Sequence, residues 1–138
     1  MPTRKQLRDL AQLRLKEAEA LFAAGLYDGA VYLSGYVVEL ALKARVCRLL
    51  ELDNYPDTGE LKKVYAVHNL DQLLILSGVS ARVNPKNPVL YKNWSAARDW
   101  RTEQRYQVPG TTQQKARDVL DAIRDRRDGV LTWIKKHW

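Results

Sequence analysis

Three arginines and a tyrosine late in the chain are the best candidates for binding a ligand. Arg98, Arg101 and Arg105 follow one another at intervals of three and four residues, and Tyr106 comes next. On a helix this spacing places all three guanidinium groups on nearly the same side. Arginine stays protonated in proteins, so it can bind phosphate or stabilise negative charge but cannot transfer a proton. The cluster indicates a phosphate-binding or dimer-interface site, unless two arginines reach solvent and the third pairs with a carboxylate.

A second group of charged residues interrupts apolar helical patterns. Glu39 and Lys43 lie four residues apart in an otherwise apolar stretch, and Arg14 and Arg126 interrupt the apolar stripes of the first and last predicted helices. Exposed, the Glu39/Lys43 pair would contribute only a few tenths of a kcal/mol, but a buried pair needs further partners. Arg14, Arg101 and Arg126 are candidates. We predict a polar cluster inside the bundle, with Glu39 facing the arginines of the fourth helix.

Residues that transfer protons or bind metals are scarce. The chain has two histidines, His68 and His137, and one cysteine, Cys47. These are too few for a histidine or cysteine metal site, and a lone cysteine excludes an internal disulfide. We interpret Cys47 as a buried, inert thiol and His68 as a residue at the start of the third helix rather than a catalytic group. No phosphate-binding glycine loop or serine-nucleophile motif is present, and no cofactor is expected.

Helices must position these residues, because apolar residues recur with helical period. No segment alternates convincingly between apolar and polar residues, as a β-strand would. The stretch from Leu26 to Glu51 is apolar nearly all round, which is typical of the buried centre of a bundle. Only Ser34, Arg45 and Arg48 form a narrow stripe that could meet water. The sequence predicts an all-α fold, a four- to five-helix up-and-down bundle forming a single domain over residues 1–138. The predicted helices are Pro2–Ala24, Leu26–Glu51, a short one after Asn69, one from Pro88 through the arginine cluster, and one from Thr111 or Thr112 to Lys136.

Composition and charge narrow the class of protein. With 46% hydrophobic and 28% charged residues, the chain has the composition of a globular protein. No apolar run is long enough to span a bilayer and the N-terminus does not resemble a signal peptide, so we expect a cytoplasmic protein with no membrane partner. The net charge of +7 fits a polyanion such as RNA or an acidic protein partner. The same net charge could equally well serve only to keep the protein soluble.

Several motifs together resemble the HEPN domain family. The stretch LFAAGLYDGAVYLSGYVVELALKARV is similar to the opening helical hairpin of that family, through Gly25, Tyr27, Ala30, Glu39, Lys43 and Ala44. His68-Asn69-Leu70 followed by Leu73 resembles the family's start of the third helix. ARDWRTEQRY resembles the arginine-tyrosine end of the fourth helix, at Arg105 and Tyr106. The motifs occur in the family's order across most of the chain.

The resemblance implies a helical bundle that dimerises and often binds RNA or nucleotides. Many members are metal-independent ribonucleases with an arginine followed, after four to six residues, by a histidine. This chain departs from that pattern, because neither histidine has an arginine at that distance upstream and Gln104-Arg105-Tyr106 stands where the histidine could fall. The other common role in the family is as the small partner of a minimal nucleotidyltransferase in toxin–antitoxin or defence systems.

Three hypotheses follow. The first is a noncatalytic, homodimeric HEPN module that partners a nucleotidyltransferase or binds RNA or a nucleotide through Arg98, Arg101, Arg105 and Tyr106. The second is an endoribonuclease with a non-standard site. The third is a structural homodimer without a ligand. We expect Trp94, Trp100, Trp133 and Trp138 to pack within the protein, although Trp100 falls off the inner face of its helix and could instead reach a dimer partner.

Overall fold

The computed structural model describes all residues, 1–138, and contains seven α-helices and no strand. The prediction of an all-α bundle is confirmed. The helices are α1 Arg4–Ala23, α2 Tyr27–Leu49, α3 Lys62–Tyr65, α4 Leu70–Leu76, α5 Pro88–Ala97, α6 Gln113–Arg124 and α7 Val130–Lys135. Short 3₁₀ turns occur at Gly59–Leu61, Ser80–Arg82 and Thr102–Tyr106.

The first two helices form the predicted antiparallel hairpin. The Oγ1 of Thr3 accepts a hydrogen bond from the Gln6 backbone, and the Gln6 side chain accepts one from the Thr3 backbone. This capping box satisfies two N–H groups that a helix start otherwise leaves unpaired. Gly25 ends α1 with a φ of +78°, a left-handed conformation that favours glycine.

Helix α2 is the centre of the bundle, with α1, α4, α6 and α7 packed around it. Val37, Val38 and Leu42 on this helix are fully buried, as its apolar pattern predicted. The predicted water-facing stripe is wrong at Ser34, which is buried and donates its hydroxyl to the carbonyl of Val31. No helix is both long and apolar enough to cross a lipid bilayer.

The fourth predicted helix ends earlier than expected. Helix α5 stops at Ala97, and Arg101 already has an extended backbone, with φ −139° and ψ 146°. Neither proline nor glycine stands at this point. The cause is tertiary, because Trp100 turns back into the core and packs on α2, with 5% of its surface exposed. Tertiary packing here overrides local helix propensity.

The last predicted helix is divided in two. Between α6 and α7, the Asp125 side chain accepts hydrogen bonds from the backbone N–H groups of Arg127 and Asp128, at 2.9 and 2.8 Å. Aspartate in this arrangement offers the backbone an alternative to the helix. Gly129 follows, where a β-carbon would lie 2.5 Å from the carbonyl oxygen of Asp125. The chain therefore turns sharply before α7.

Candidate functional site

The three arginines of the predicted cluster have different surroundings. Arg98 is held by Asp71, whose Oδ2 accepts from Nε and Nη2 of Arg98 at 3.2 and 2.9 Å. The other oxygen of Asp71 accepts from Nε1 of Trp94. Hydrogen bonding to Asp71, and then its charge, raises the pKa of Arg98. Arg98 therefore ties α5 to α4, and its donors are partly occupied.

Arg101 is exposed but makes local contacts. Its Nη1 donates to the carbonyl oxygens of Arg98 and Trp100, at 3.1 and 2.9 Å. These carbonyls follow the end of α5, where helices leave acceptors unpaired and basic side chains commonly satisfy them. Arg101 thus stabilises the early helix end that brings Trp100 into the core.

Arg105 is the arginine most available to a ligand. It makes no ion pair with a carboxylate, and its guanidinium carbon lies 4.8 Å from the ring centroid of Tyr106. Tyr106 is 78% exposed. Hydrogen bonding to the Tyr32 side chain, followed by that to Tyr106, raises the pKa of Arg105. An exposed cation beside an exposed aromatic ring can bind a phosphate and stack a base.

The segment that carries Arg105 is anchored to α2 at its start by Trp100. The Nε1 of Trp100 donates to the carbonyl oxygen of Tyr32 at 2.9 Å, and its indole ring packs on Gly35. The prediction that Trp100 packs is confirmed, and the alternative contact with a dimer partner is wrong, because the side chain is buried within its own protomer.

The same segment is anchored at its end by Asp28, in the first turn of α2. The Oδ1 of Asp28 accepts from the backbone N–H of Gly110 and of Thr111, and from the Thr111 hydroxyl at 2.8 Å. The bonds from Thr111, and then from Gly110, lower the pKa of Asp28. The segment from Trp100 to Thr111 is therefore attached to α2 at both ends, which fixes the position of Arg105 and Tyr106.

Two tyrosines of α2, Tyr32 and Tyr36, pack against Trp100 at the start of this segment. The hydroxyls of Tyr32 and Tyr36 are 3.1 Å apart, and the ring centroids of Tyr36 and Trp100 are 4.8 Å apart. Burial, followed by the hydrogen bond to Tyr32 and the charge of Glu39, raises the pKa of Tyr36 to about 12. The positive charge of Arg105 lowers the pKa of the same hydroxyl. Tyr36 thus lies within the electric field of both Arg105 and Glu39.

Glu39 is 2% exposed and lies at the centre of a small polar cluster. Its Oε1 accepts from Nζ of Lys43 at 2.7 Å and lies 2.8 Å from Nδ1 of His68. Lys43 also lies over the ring of Tyr55, 5.2 Å from its centroid. The Glu39 Oε2 is buried and has no hydrogen-bond partner. The cluster consists of one carboxylate shared by a lysine and a histidine.

A family model for the HEPN domain matches residues 5–136. The chain belongs to the HEPN family. It shows no significant similarity to a curated protein or to a solved structure. The match spans the whole bundle, including the Glu39 cluster and the Arg105–Tyr106 segment. In this HEPN domain no three His, Cys, Asp or Glu side chains converge as a metal site would require.

The predicted partners of Glu39 in the HEPN bundle are wrong. Glu39 does not pair with an arginine of the fourth helix. Arg14 pairs with Glu17 at 2.8 Å, and the exposed Arg126 makes no ion pair. The physical reason is local, because Lys43, one turn along the same helix, and His68, just before α4, lie within hydrogen-bond distance of Glu39 and supply its partners.

His68 and the tyrosines of α2 are the site residues that sequence reasoning missed. Asn69 caps α4, since its side chain accepts from the Gln72 backbone, and this leaves the His68 ring free to reach Glu39. No spacing rule connects His68 with Glu39, because their contact joins two elements distant in sequence. Tyr32 and Tyr36 lie in the stretch whose apolar pattern predicts only a buried centre, although their helical spacing with Glu39 could have placed all three on one side of α2.

Proposed function

We propose that this HEPN domain is a noncatalytic RNA-binding module. Arg105 would bind a backbone phosphate and Tyr106 would stack on a base. The observation that carries the proposal is the pairing of an exposed arginine, without a carboxylate partner, with an exposed tyrosine ring at 4.8 Å. Such cation–aromatic surfaces bind single strands with little sequence preference, because every base has a face on which to stack.

The net charge of the protein supports this choice of ligand. A charge of +7 favours association with a polyanion at long range. Arg101 is exposed on the same segment as Arg105, and its Nη2 makes no hydrogen bond within the protein. We therefore expect Arg101 to add a weaker phosphate contact. Arg98, which is engaged by Asp71, should contribute least of the three.

Fluorescence anisotropy with a labelled single-stranded RNA tests the proposal. Arg105→Ala and Tyr106→Ala should each weaken binding by about tenfold, since base–aromatic stacking alone contributes about 1–3 kcal/mol per base. Arg126→Ala removes an exposed arginine elsewhere and is the charge-matched control. No measurable binding of RNA by the unaltered protein, or equal losses in Arg105→Ala and Arg126→Ala, would reject the site.

We extend the proposal to assembly, on the ground of the family resemblance. The protein would form a homodimer and partner a minimal nucleotidyltransferase in a toxin–antitoxin or defence system. Sedimentation velocity over a hundredfold range of concentration tests the dimer, and co-purification with the product of a neighbouring nucleotidyltransferase gene tests the partner. A monomer throughout, with no co-purifying protein, would reject both. A dimer that binds neither RNA nor a partner would instead support the purely structural hypothesis.

The Glu39–His68 contact favours endoribonuclease activity as a second candidate function. If Nδ1 of His68 donates to the buried carboxylate, Nε2 carries the lone pair and can accept a proton. The His68 side chain is 58% exposed, so a substrate could reach it. His68 would take the proton of the 2′-hydroxyl, whose oxygen would attack phosphorus and expel the 5′-oxygen. The products would be a 2′,3′-cyclic phosphate and, once protonated, a 5′-hydroxyl.

Incubation of a generic RNA with the protein in EDTA separates the two candidate functions. Cleavage that leaves cyclic phosphate ends and is lost in His68→Ala would establish the ribonuclease. His137→Ala, which changes the other histidine, is the control. Absence of cleavage at high protein concentration would reject the ribonuclease and leave the binding module intact.

A further inference from the structure

A second concave surface lies away from the Arg105–Tyr106 segment. It is a cleft of about 430 Å³ between the loop that precedes α5 and the last helix, α7. This volume lies within the range of small-molecule sites in proteins. The side chains that could recognise a ligand there are Arg82, Asn87, Arg127, Asp128, Trp133 and Lys136.

The three cations of the cleft are not neutralised by the protein. Arg82, Arg127 and Lys136 are exposed, and none of them makes an ion pair with a carboxylate within 4.0 Å. Asp128 is the one acidic side chain of the lining. Three cations without a carboxylate partner around one cleft favour an anionic ligand.

Arg45 and Arg48, near the end of α2, add positive charge close to Arg82. Burial, and then the charges of Arg48 and Arg82, lower the pKa of Arg45. Burial, and then a set of cations led by Arg82, also lowers the pKa of His137. Arg45 donates to the backbone carbonyl of His137, and Arg48 donates to the main-chain oxygen of Trp138. Arg82 therefore lies among several positive charges, and Asp128 is the one acid in the lining of the cleft.

The remaining side chains of the cleft supply other kinds of contact. Trp133 is half-buried, its ring held edge-on by His137 at a centroid distance of 5.6 Å. An indole fixed in this way can stack on a nucleobase. Asn87 can donate and accept hydrogen bonds, and the Asp128 carboxylate can accept them from the hydroxyls of a ribose. Cations, an aromatic ring and a hydroxyl acceptor together match phosphate, base and sugar.

We propose that this cleft binds a ribonucleoside phosphate, either a free mononucleotide or the phosphorylated end of an RNA strand. Arg82 and Lys136 bind the phosphate, Trp133 stacks on the base and Asp128 accepts from the ribose. Arg45, beside the cleft, lies about 20 Å further along α2 than Tyr32 and on roughly the opposite side of that helix. The cleft is thus distinct from the Arg105–Tyr106 surface.

Calorimetric titration of the full chain tests this proposal with four probes. The probes are adenosine 5′-monophosphate, inorganic phosphate, and a short RNA with either a 5′-phosphate or a 5′-hydroxyl. Arg82→Ala/Lys136→Ala should weaken binding of the mononucleotide at least tenfold, and Trp133→Phe should weaken it several-fold. Lys16→Ala/Lys62→Ala removes the same charge from exposed positions outside the cleft and should bind normally. Arg105→Ala should also bind normally, which separates this result from the fate of the proposed RNA-binding surface.

The four probes distinguish a free-nucleotide site from a strand-end site. Saturable binding of the mononucleotide that depends on Arg82 and Lys136 supports a free-nucleotide site, and tighter binding of the 5′-phosphorylated RNA than of the 5′-hydroxyl RNA supports a strand-end site. No saturable binding of any probe overturns the proposal. Inorganic phosphate that binds as tightly as the nucleotide also overturns it, because Trp133 and Asp128 would then contribute nothing.

A 2′-deoxynucleotide should bind less tightly than its ribose form, and Asp128→Asn should reduce that difference. An unchanged difference overturns the assignment of Asp128.

Discussion

The indole of Trp100 lies so close to Gly35 that a β-carbon at that position would fall 2.1 Å from the ring. The same indole donates to the backbone carbonyl of Tyr32 at 2.9 Å. The absence of a side chain at Gly35 is therefore what lets α2 accept the tryptophan. This contact ends α5 and sets the position from which Arg105 and Tyr106 emerge.

Gly35→Ala is expected to destabilise the fold by about 3 kcal/mol, at the upper end of the cost of overpacking a core. The clash should outweigh the better helix propensity of alanine, which is worth at most about 1 kcal/mol. Urea unfolding measures the effect. Gly110→Ala is the control, because a β-carbon there meets nothing within 4 Å. Equal stability of the two variants would show that Trp100 does not depend on Gly35.

The features predicted correctly from the sequence are those with local causes. The hairpin of α1 and α2 follows from apolar periodicity and from Gly25, whose φ of +78° suits glycine. The buried character of α2 follows from its nearly continuous apolar surface. Each of these signals lies within one or two turns of the residues it concerns.

The features that the sequence did not reveal depend on long-range contacts. The end of α5 is set by Trp100 meeting Gly35, and the partner of Glu39 is His68 rather than an arginine. The same dependence explains the arginine cluster, because once α5 ends at Ala97 the helical spacing of Arg98, Arg101 and Arg105 no longer places them side by side. Periodicity cannot report such contacts.

Removing Glu39 alone should be costly. Glu39→Ala would leave Lys43, whose side chain is 13% exposed, with its charge buried and unpaired. Breaking a buried pair in this way typically costs about 3–5 kcal/mol. Glu39→Leu/Lys43→Met removes both charges and should retain most of the stability, because the exposed His68 can be solvated. Equal losses in the single and double variants, measured by urea unfolding, would contradict a buried ion pair.

Asp28 should hold the loop after Tyr106 only while it is ionised. Because hydrogen bonds from Thr111 and Gly110 lower its pKa below 3.8, its contribution is present above that value and is lost as the pH falls through the folded pKa. Hydrogen exchange of the Thr111 amide measures this contact. Asp28→Asn should speed exchange at neutral pH and weaken RNA binding, whereas Asp118→Asn, on the surface of α6, should do neither. Unchanged exchange in Asp28→Asn would show that the loop is held by other contacts.

Cys47 should react with thiol reagents only after unfolding. Burial raises the pKa of its thiol from 9.0 to about 11, and the side chain has no exposed surface. Because the folded pKa is raised, the contribution to stability is present below about 9 and is lost as the pH rises towards about 11. Labelling with a disulfide reagent at pH 8 should therefore proceed at the rate of global opening. Rapid labelling of the folded protein would contradict a buried, neutral thiol.

The salt dependence of RNA affinity shows whether Arg105 contacts an RNA phosphate. Each phosphate contact to a single strand contributes about 0.7 to the slope of log K against log salt concentration. Arg105→Ala should weaken binding about tenfold and reduce that slope by about 0.7, whereas Arg98→Ala should change the slope little, since Asp71 engages Arg98 at 2.9 Å. A slope in Arg105→Ala equal to that of the unaltered protein would contradict the claim.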